Sequence, residues 1–513
     1  MGAAPGAAGP WAGTAGRIEP SPCPISVRNM QNQYDVIIIG AGAVGCAIAR
    51  ELSFYDLKIC VLEKEADAAA GTSGRNSAVV HAGFNNKPGS LMAKLCVAGN
   101  EGMEALCRQL DVPYEKTGKV LVAFDAEDEA VLQGLVAQGE QNGCRGLRLI
   151  RQGELEKLVP GVGGIGGMLS PETAILDPFK YCIALAENAA ANGVVFRFEE
   201  EALAIERPEE GFRVKTPRGE YQSAFLINAA GLFADRVSAL AGVGGYRIYP
   251  CRGEYFLMDR VADSLLKLPV YPAPKKGIGG LGVHLTPTIH GNIIIGPSAE
   301  YIDSNEDYAC TRPVMDQLWQ EASALLPALK RGDIIGSYSG IRAKQAPPGE
   351  GGFRDFVIRE EEACPGLINL IGIESPGLTA SRPIALMVKE LLEKRIPLKE
   401  VPGRSRTHRF PPRFAELSRK EQEALILQDP EYGEIICRCQ RVTKKEIRQA
   451  IENPLGAHSI SAIKYRAWAT TGRCNGGYCL NRIVDMLVKE YGLKPEEVSL
   501  RGRGSELLAG KVK

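Results

Sequence analysis

The sequence predicts an α/β protein of more than one domain, and three observations support this prediction. The chain has 513 residues, which at roughly 150 residues per domain corresponds to about two to four domains. Two apolar runs of strand length, residues 34–39 (YDVIII) and 58–62 (KICVL), enclose a glycine-rich turn and a helical segment, which is the order of a βαβ unit. Towards the other end, four cysteines follow a polar stretch bracketed by prolines. We therefore expect a large α/β part followed by a small cysteine-bearing domain.

Composition excludes several classes of protein. Hydrophobic residues make up 45% and charged residues 24%, as is usual in soluble globular proteins. No apolar run approaches the roughly 18 residues that a membrane-spanning helix requires, so we expect no integral membrane segment. Lys+Arg and Asp+Glu number 61 each, so no overall basic charge indicates a nucleic-acid partner.

The two ends of the chain depart from this average. Residues 1–33 are rich in Gly, Ala and Pro and lack the pattern of a signal peptide, so we expect either a disordered tail or a true start at Met30. We expect a cytoplasmic protein, with membrane association only through a partner. Residues 431–513 hold 15 Lys/Arg against 9 Asp/Glu, a surplus of six positive charges. This surplus indicates either steering of an acidic partner or an ordinary solvated surface.

The glycine-rich turn, GAGAVG, predicts a dinucleotide site. Gly40 permits the tight turn, and Gly42 lets the backbone approach a pyrophosphate. Gly45 lets the helix pack closely on the strand, while the helix N-terminus faces the phosphates. Glu63 ends the second strand, where an acid hydrogen-bonds ribose hydroxyls and argues against the 2′-phosphate of NADP. FAD or NAD is therefore favoured, the alternative being a glycine-rich turn without a ligand.

Further glycine-bearing turns favour FAD over NAD. They lie in residues 71–84 (GTSGRNSAVVHAGF), 226–238 (LINAAGLFADRVS) and 369–385 (NLIGIESPGLTASRPIA). Several separated turns suit one long, two-headed cofactor threaded along a sheet, whereas a nicotinamide enzyme needs only the first. The candidate cofactor contacts in these turns are Thr72, Ser73, Arg75, Asn76, His81, Gly231, Gly377, Leu378 and Thr379, the last at the predicted start of a helix.

In these motifs, residues 34 to about 400 resemble the D-amino-acid-oxidase superfamily of FAD-dependent oxidoreductases. Within it they resemble the branch of flavin-dependent glycerol-3-phosphate dehydrogenases and L-2-hydroxyglutarate dehydrogenases. The matching stretches are GAGAVG, TSGRNSAVVHAGF, INAAGLFAD, GVHLTP, YSGIRAK and GIESPGLTAS. The resemblance implies that residues 34–410 form an α/β, Rossmann-like FAD-binding domain interleaved with a β-rich (α+β) substrate domain, the latter mainly at 90–150 and 245–340. It also implies non-covalent FAD.

The resemblance further implies candidate catalytic residues. Arg342, in SGIRAK, matches the arginine that grips the anionic end of the substrate, since a guanidinium pairs bidentately with carboxylate or phosphate. The alternative role for Arg342 is a structural ion pair. Lys344 and Arg252 are weaker candidates, with a surface charge as the alternative. His284, in GVHLTP, is the candidate general base because imidazole titrates near neutral pH; the alternative is a histidine hydrogen-bonded within a strand. His81 is expected to pack beside the flavin ring.

The four clustered cysteines predict a second redox centre. They form the pattern C-x-C-x34-C-x4-C and are Cys437, Cys439, Cys474 and Cys479. Four thiolates indicate a metal or iron–sulfur site, and the spacing departs from the C-x2-C knuckle of zinc. Gly476 and Gly477 free the backbone to wrap round a cluster and donate N–H bonds to sulfur. Structural zinc and free thiols are the alternatives.

This segment also carries a resemblance. Residues 431–513 resemble the small helical [2Fe-2S] domain of bacterioferritin-associated ferredoxin, and residues 411–430 are predicted to be a linker. The fusion to a flavin domain resembles the large subunit of anaerobic glycerol-3-phosphate dehydrogenase. The combination implies a dehydrogenase in which substrate reduces FAD and the cluster passes electrons singly to a protein or partner subunit.

The identity of the small anionic substrate stays open between three classes. Glycerol 3-phosphate is the first choice because of the fusion. L-2-hydroxyglutarate or another 2-hydroxy acid is the second, because of GVHLTP and the motif spacing. The third is an amino or imino acid. A protein of a different kind, an electron-transfer subunit whose flavin never meets substrate, is the remaining alternative.

Overall fold

The computed structural model describes residues 32–209, 211–260, 265–275, 282–508 and 510. The predicted tail lies outside the described residues except at its last two positions. In the described chain the strands are β1 Gln33–Ile39, β2 Ile59–Leu62, β3 Val79–Val80, β4 Tyr114–Glu115, β5 Lys119–Ala123, β6 Arg148–Arg151, β7 Gly166–Ser170, β8 Ala174–Leu176, β9 Val195–Arg197, β10 Ala204–Glu206, β11 Phe212–Thr216, β12 Gly219–Asn228, β13 Tyr249–Met258, β14 Val270–Pro272, β15 His284–Pro287, β16 Ile293–Gly296, β17 Glu300–Tyr301, β18 Ile334–Lys344, β19 Val357–Glu361, β20 Cys364–Ile371, β21 Ile435–Cys437 and β22 Val442–Thr443. The helices are α1 Ala43–Leu52, α2 Leu91–Leu110, α3 Ala126–Gln141, α4 Gln152–Leu158, α5 Pro178–Ala191, α6 Ala234–Leu240, α7 Arg312–Leu325, α8 Gly377–Glu393, α9 Arg419–Gln428, α10 Lys444–Ile451, α11 Ile460–Ala467 and α12 Leu480–Lys489.

A parallel sheet of β9-β2-β1-β12-β20 forms the centre of the first domain. Antiparallel β19 extends it beyond β20, β11 pairs antiparallel with the first half of β12, and β10 pairs antiparallel with β11. The packing of β1 explains why its second half, residues 36–39, is apolar throughout. Val36 and Ile38 pack with α1, α5 and α8, whereas Ile37 and Ile39 pack on the opposite face. Both faces are covered, as in other α/β folds with parallel sheets, and the predicted Rossmann-like domain is confirmed.

A second sheet forms the substrate domain in the order β18-β13-β16-β15-β14-β5-β7-β6, with β17 also pairing β13. Its apolar face packs against α7 through residues such as Val120, Leu285, Ile295 and Leu318. The predicted interleaving is confirmed, since this sheet draws strands from before and after β9–β12. β7 lies outside the ranges expected for this domain, and α2, inside them, packs in the core of the first domain.

The C-terminal segment forms a small helical domain with its own core, built by α10, α11 and α12 around residues such as Ile447, Ile463 and Leu487. The stretch predicted as a linker contains α9, whose start is fixed by a capping box between Ser418 and Glu421. It is tied to the cysteine domain, because the Phe414 N–H donates to Glu446 at 3.2 Å. Among the described residues, no helix is both long and apolar enough to cross a membrane.

Candidate active site and cysteine cluster

A cavity of about 650 Å³ lies where the carboxyl ends of β1, β2, β12 and β20 meet the second sheet. Ligands of open α/β sheets bind at this edge. Of the residues predicted for the site, the structure brings the following to its lining: Gly40, Gly42, Glu63, Thr72, Ser73, Arg75, Asn76, His81, Gly231, His284, Arg342, Gly377, Leu378 and Thr379. Gly45, Arg252 and Lys344 do not line it.

The glycine-rich turn has the geometry that a pyrophosphate requires. Gly40 adopts φ +106°, and a Cβ there would lie 2.6 Å from the carbonyl oxygen of Ala229. A Cβ on Gly45 would lie 1.9 Å from the carbonyl oxygen of Gly40, so strand and helix touch backbone to backbone. Gly42 caps α1 without a side chain, and the Ser73 hydroxyl accepts a hydrogen bond from the first N–H of that helix at 2.9 Å. The helix N-terminus therefore faces the cavity ready for an anion.

Glu63 is fixed at the end of β2. One carboxylate oxygen accepts from the Ala41 N–H at 2.6 Å, and the other accepts from the Glu65 N–H at 2.9 Å. Burial raises the pKa of Glu63, and these two N–H groups oppose that rise. Each oxygen keeps a further lone pair, so the carboxylate fits a pair of ribose hydroxyls.

The later motifs are joined to one another around the same cavity. The Thr379 hydroxyl accepts from the His81 N–H at 3.0 Å. The Thr72 hydroxyl donates to the Ile341 carbonyl at 2.9 Å, which ties the first domain to β18. Segments distant in sequence thus line one elongated site, as a long two-headed cofactor such as FAD requires.

Arg342 is a partly buried cation without an ion pair among the described residues. Its Nη2 donates to the Ser298 carbonyl at 3.2 Å, and its Nη1 lies 3.7 Å from the Cys251 sulfur. β18 pairs with β13 so that Arg342 lies beside Cys251. The described carboxylates all lie beyond the 4.0 Å limit of a salt bridge. Because a partly buried charge without a counter-ion is costly, this guanidinium is suited to an anionic ligand.

Arg252 and Lys344 instead have carboxylate partners. Arg252 is bound by Glu300 and Asp307, each at 2.7 Å. Lys344 is buried and lies 3.0 Å from Glu374. Glu374 lines the cavity, and burial raises its pKa to about 6, opposed by the Lys344 charge.

Two histidines line the cavity, and burial lowers the pKa of both. His284 stacks on Tyr271 with ring centroids 3.5 Å apart, and its Nδ1 has no hydrogen-bond partner among the described residues. Burial, followed by the charges of Lys119 and Arg342, holds the pKa of His284 well below its usual value. Burial lowers the pKa of His81 to about 3, and its Nε2 lies 3.4 Å from the Ser375 hydroxyl.

Sequence reasoning missed several residues at this site. Tyr255, Tyr271, Glu374 and Ser375 line the cavity although they belong to different strands and loops. Lys119 is fully buried behind it, with Nζ 4.4 Å from the ring centroid of Tyr271, and burial lowers its pKa to about 7. The sequence feature that indicates Lys119 is its position at the start of the otherwise apolar run KVLVA.

The four cysteines form two pairs that differ from their pairing in sequence. Cys439 and Cys474 have sulfurs 3.4 Å apart and are exposed. Cys437 and Cys479 are buried and in contact, so burial and the Cys437 thiol raise the pKa of Cys479 to about 11. Among the described residues no three His, Cys, Asp or Glu side chains converge on one point as a single metal ion would need. Four thiols gathered in two neighbouring pairs would hold a binuclear iron–sulfur cluster.

Backbone N–H groups surround the exposed pair. The N–H of Tyr478, followed by the Cys439 thiol and the N–H groups of Gly476 and Gly477, lowers the pKa of Cys474. These donors stabilise a thiolate and fit the sulfur-rich surface of an iron–sulfur cluster. The backbone at Gly476 and Gly477 therefore directs N–H groups towards Cys474, as predicted.

Helix α11 fastens the cysteine domain to the first domain. Arg466 is buried and bonds to Asp67 at 2.6 Å and to Glu187 at 2.8 Å. The neighbouring Tyr465 stacks on Phe179 with ring centroids 3.8 Å apart. Asp67 belongs to the loop after β2, which continues into the cavity lining. The two candidate redox sites thus share one interface.

Together, the fold and the two sites define a dinucleotide-binding oxidoreductase with a second, sulfur-liganded centre. A family described as FAD dependent oxidoreductase matches residues 35–391, and one described as BFD-like [2Fe-2S] binding domain matches residues 435–489. The chain therefore belongs to the family of FAD-dependent oxidoreductases. It binds FAD and carries a [2Fe-2S] domain, as predicted.

Individual relatives agree with this assignment. The chain is 37% identical over 485 residues to a glycerol 3-phosphate dehydrogenase of Caloramator mitchellensis, covering 94% of this chain and 99% of that protein. It is 33% identical to a mitochondrial L-2-hydroxyglutarate dehydrogenase of Arabidopsis thaliana, covering 69% and 82%. A structure of dithionite-reduced L-alpha-glycerophosphate oxidase from Mycoplasma pneumoniae with FAD bound is similar with a TM-score of 0.69 and 28% identity, covering 74% and 99%. The predicted class, a glycerol-3-phosphate dehydrogenase-like FAD enzyme, is confirmed.

Proposed function

We propose that the protein oxidises the secondary hydroxyl of glycerol 3-phosphate and passes the electrons singly to a protein acceptor. The observation that carries this proposal is Arg342, a partly buried guanidinium that lines the cavity without a carboxylate partner among the described residues. A guanidinium binds phosphate or carboxylate oxygens bidentately. The similarity over 94% of the chain to a glycerol 3-phosphate dehydrogenase supports phosphate as the anion.

The residues of the chain bind and orient the substrate in this proposal. When bound, FAD supplies hydride acceptance and the cluster supplies one-electron transfer. The glycine-rich turn, Ser73 and Glu63 would hold FAD, and the four cysteines would hold the cluster. Arg342 anchors the phosphate. Lys344 acts as a positioning residue, because its ammonium fixes the cavity-lining carboxylate of Glu374.

His284 is the proposed acceptor of the substrate's hydroxyl proton, at its unpartnered Nδ1. In the empty site this imidazole is a weak base, because burial and two neighbouring cations oppose its protonation. One of those cations is Arg342. A phosphate bound to Arg342 offsets that charge, so substrate binding itself raises the basicity of His284. The proton is thus taken only when substrate is in place.

L-2-hydroxyglutarate is the second candidate substrate. The similarity to L-2-hydroxyglutarate dehydrogenases supports it, as does the position of the GVHLTP histidine in the cavity lining. A carboxylate would bind Arg342 in the same bidentate way. We also propose that any association with a membrane occurs through the electron-accepting partner.

Anaerobic absorbance of the iron-replete protein tests the proposal. Glycerol 3-phosphate, L-2-hydroxyglutarate, L-lactate and L-proline are added in separate cuvettes, and bleaching of the flavin is followed. We expect bleaching by glycerol 3-phosphate alone. Bleaching by a 2-hydroxy acid or by proline alone would replace the substrate with that class. No bleaching by any of them, while dithionite still reduces both centres, would assign the chain to electron transfer without a substrate.

A further inference from the structure

The cluster domain presents a chemically distinctive surface at its exposed cysteine pair. Cys437 and Cys479 lie in the core of the domain, whereas Cys439 and Cys474 are exposed in the described chain. A cluster held by these four cysteines would therefore be most accessible to another protein at the exposed pair. Electron transfer to a partner requires such access. The surface at Cys439 and Cys474 is therefore the edge of the domain from which electrons would leave.

Four arginines lie within three residues of a cysteine of the cluster motif in the sequence, and we name them, together with Tyr478, the arginine rim: Arg438, Arg441, Arg473 and Arg482. Arg438 lies between two of the cysteines in sequence, and Arg473 directly precedes Cys474. The Arg473 side chain is 80% exposed. The rim thus places positive charge next to the exposed cysteines in the sequence.

Tyr478 gives the arginine rim an anchor of the kind found at protein interfaces. It is 40% exposed, although it directly precedes the buried Cys479. The Arg438 guanidinium lies 4.3 Å from its ring centroid, and that of Arg482 lies 5.9 Å away on the same ring. Tyrosine and arginine are the residues most enriched where binding energy concentrates.

The carboxylates that contact the arginine rim leave it basic. Among the described residues, Glu434 pairs with Arg482 at 2.8 Å, and Asp259 of the substrate domain pairs with Arg473 at 3.3 Å. Arg438 and Arg441 have no ion pair within 4.0 Å among the described residues. By contrast, Lys444 and Arg448 of the same domain are neutralised by Glu431 and Glu490.

We infer that the arginine rim is the docking surface for an acidic one-electron redox protein. This inference rests on the proposed function, since it names the kind of acceptor. The step is balanced: each docking event moves one electron from the reduced cluster to the oxidised centre of the partner, and two such events return the protein to its oxidised state. Complementary charge raises the association rate and is weakened by salt.

A charge-reversed variant tests the inference. Arg438→Glu combined with Arg473→Glu changes the rim by four charges. The matched control is Lys489→Glu combined with Lys494→Glu, which makes the same change on the same domain. Both lysines are 70% exposed. Lys489 ends α12, a ten-residue helix that starts directly after Cys479, so it lies about 15 Å along the helix from that cysteine.

Two haem proteins of opposite charge serve as probes: ferric cytochrome b5, which is acidic, and ferric cytochrome c, which is basic. The donor is full-length protein reduced with dithionite and desalted, so no substrate is needed. We expect the wild type to reduce cytochrome b5 at a rate that falls with added salt. The rim variant should be at least about tenfold slower at low ionic strength, the control should stay within about twofold, and cytochrome c should react faster with the rim variant.

Equilibrium binding gives a readout that does not depend on activity. In calorimetry of the oxidised proteins, ferric cytochrome b5 should bind the wild type and the control but not the rim variant. Equal rates and binding in all three proteins, or an equal loss in the control, would overturn the inference. Binding of the wild type to phosphatidylserine vesicles without binding to cytochrome b5 would overturn it in favour of a membrane surface. Since substrate is absent, failure here is distinct from failure of the flavin to bleach.

Discussion

Replacing Arg342 with methionine removes the proposed anion anchor while keeping a side chain of similar length. The wild-type guanidinium is partly buried at the cavity, donates to the Ser298 carbonyl, and has no carboxylate partner among the described residues. The substitution therefore leaves no carboxylate unpaired among those residues. We expect the variant to fold and retain FAD, so that its defect falls on the substrate.

The size of the defect follows from the hydrogen bonds that a methionine cannot make to the substrate. Two hydrogen bonds from a guanidinium to an anion contribute about 1.5 kcal/mol or more each. A total of about 3 kcal/mol corresponds to a loss of more than about 100-fold in kcat/KM. Arg342→Lys keeps the charge but loses the two-pronged geometry, so an intermediate loss of about tenfold is expected.

Anaerobic flavin bleaching is measured by stopped flow with glycerol 3-phosphate and with glycerol, so that glycerol serves as the control substrate for each protein. Glycerol has the same hydroxyl but no phosphate, so it cannot use the anchor. The wild type should prefer glycerol 3-phosphate strongly, and Arg342→Met should lose most of that preference while its rate with glycerol changes little. A variant that keeps the wild-type preference for the phosphate would refute the role of Arg342.

Three further predictions concern groups around the two sites. His284→Ala should lower the rate of flavin reduction far more than FAD occupancy, measured by rapid mixing and by absorbance; an unchanged rate would reject the base assignment. Lys119→Met should raise the melting temperature at pH 7. Because the folded-state pKa of about 7 lies below the ordinary value of 10.5, the unfolded wild-type chain binds this proton more tightly, and wild-type stability should rise between pH 7 and 10 by up to about 1.4 kcal/mol per pH unit. Melting curves across that range should show a smaller slope for the variant, and parallel curves would contradict the argument. Arg466→Met should lower stability by about 3–5 kcal/mol and slow cluster reduction by substrate, because it leaves the buried Asp67 carboxylate without a cation and leaves Glu187 with only the His408 ring nitrogen, 2.9 Å away. Adding Asp67→Asn and Glu187→Gln should restore most of the loss, and failure to do so would show that the charges are not its cause.

Local motifs made the cofactor end of the site predictable. Gly40, Gly42 and Glu63 lie within one βαβ unit, where spacing along the chain fixes spacing in the fold. The later motifs were also recognisable, because each is a strand, a glycine turn and a helix start. Even so, α8 begins at Gly377, two residues before the predicted Thr379, because Pro376 already takes the N-cap position.

Features that depend on distant packing were not predictable. Lys119, Tyr271 and Glu374 lie on separate segments and share no motif, so only the tertiary fold brings them to the cavity. The cysteines show the same limit. Cys437 and Cys439 are near neighbours in sequence, yet one is buried and the other exposed, and each finds its partner in the other half of the motif.

The bonds of Arg466 have a consequence for the timing of synthesis. Glu187 and Arg466 are separated by 279 residues, and Asp67 and Arg466 by 399. At about 5–20 residues per second, a ribosome needs roughly 15 to 80 seconds to pass from either of these carboxylate partners to the arginine. During that interval the nascent first domain carries carboxylates whose cation has not yet been made. The joint between the two redox centres is therefore among the last parts of the molecule to form, and a chain cut short before α11 never forms it.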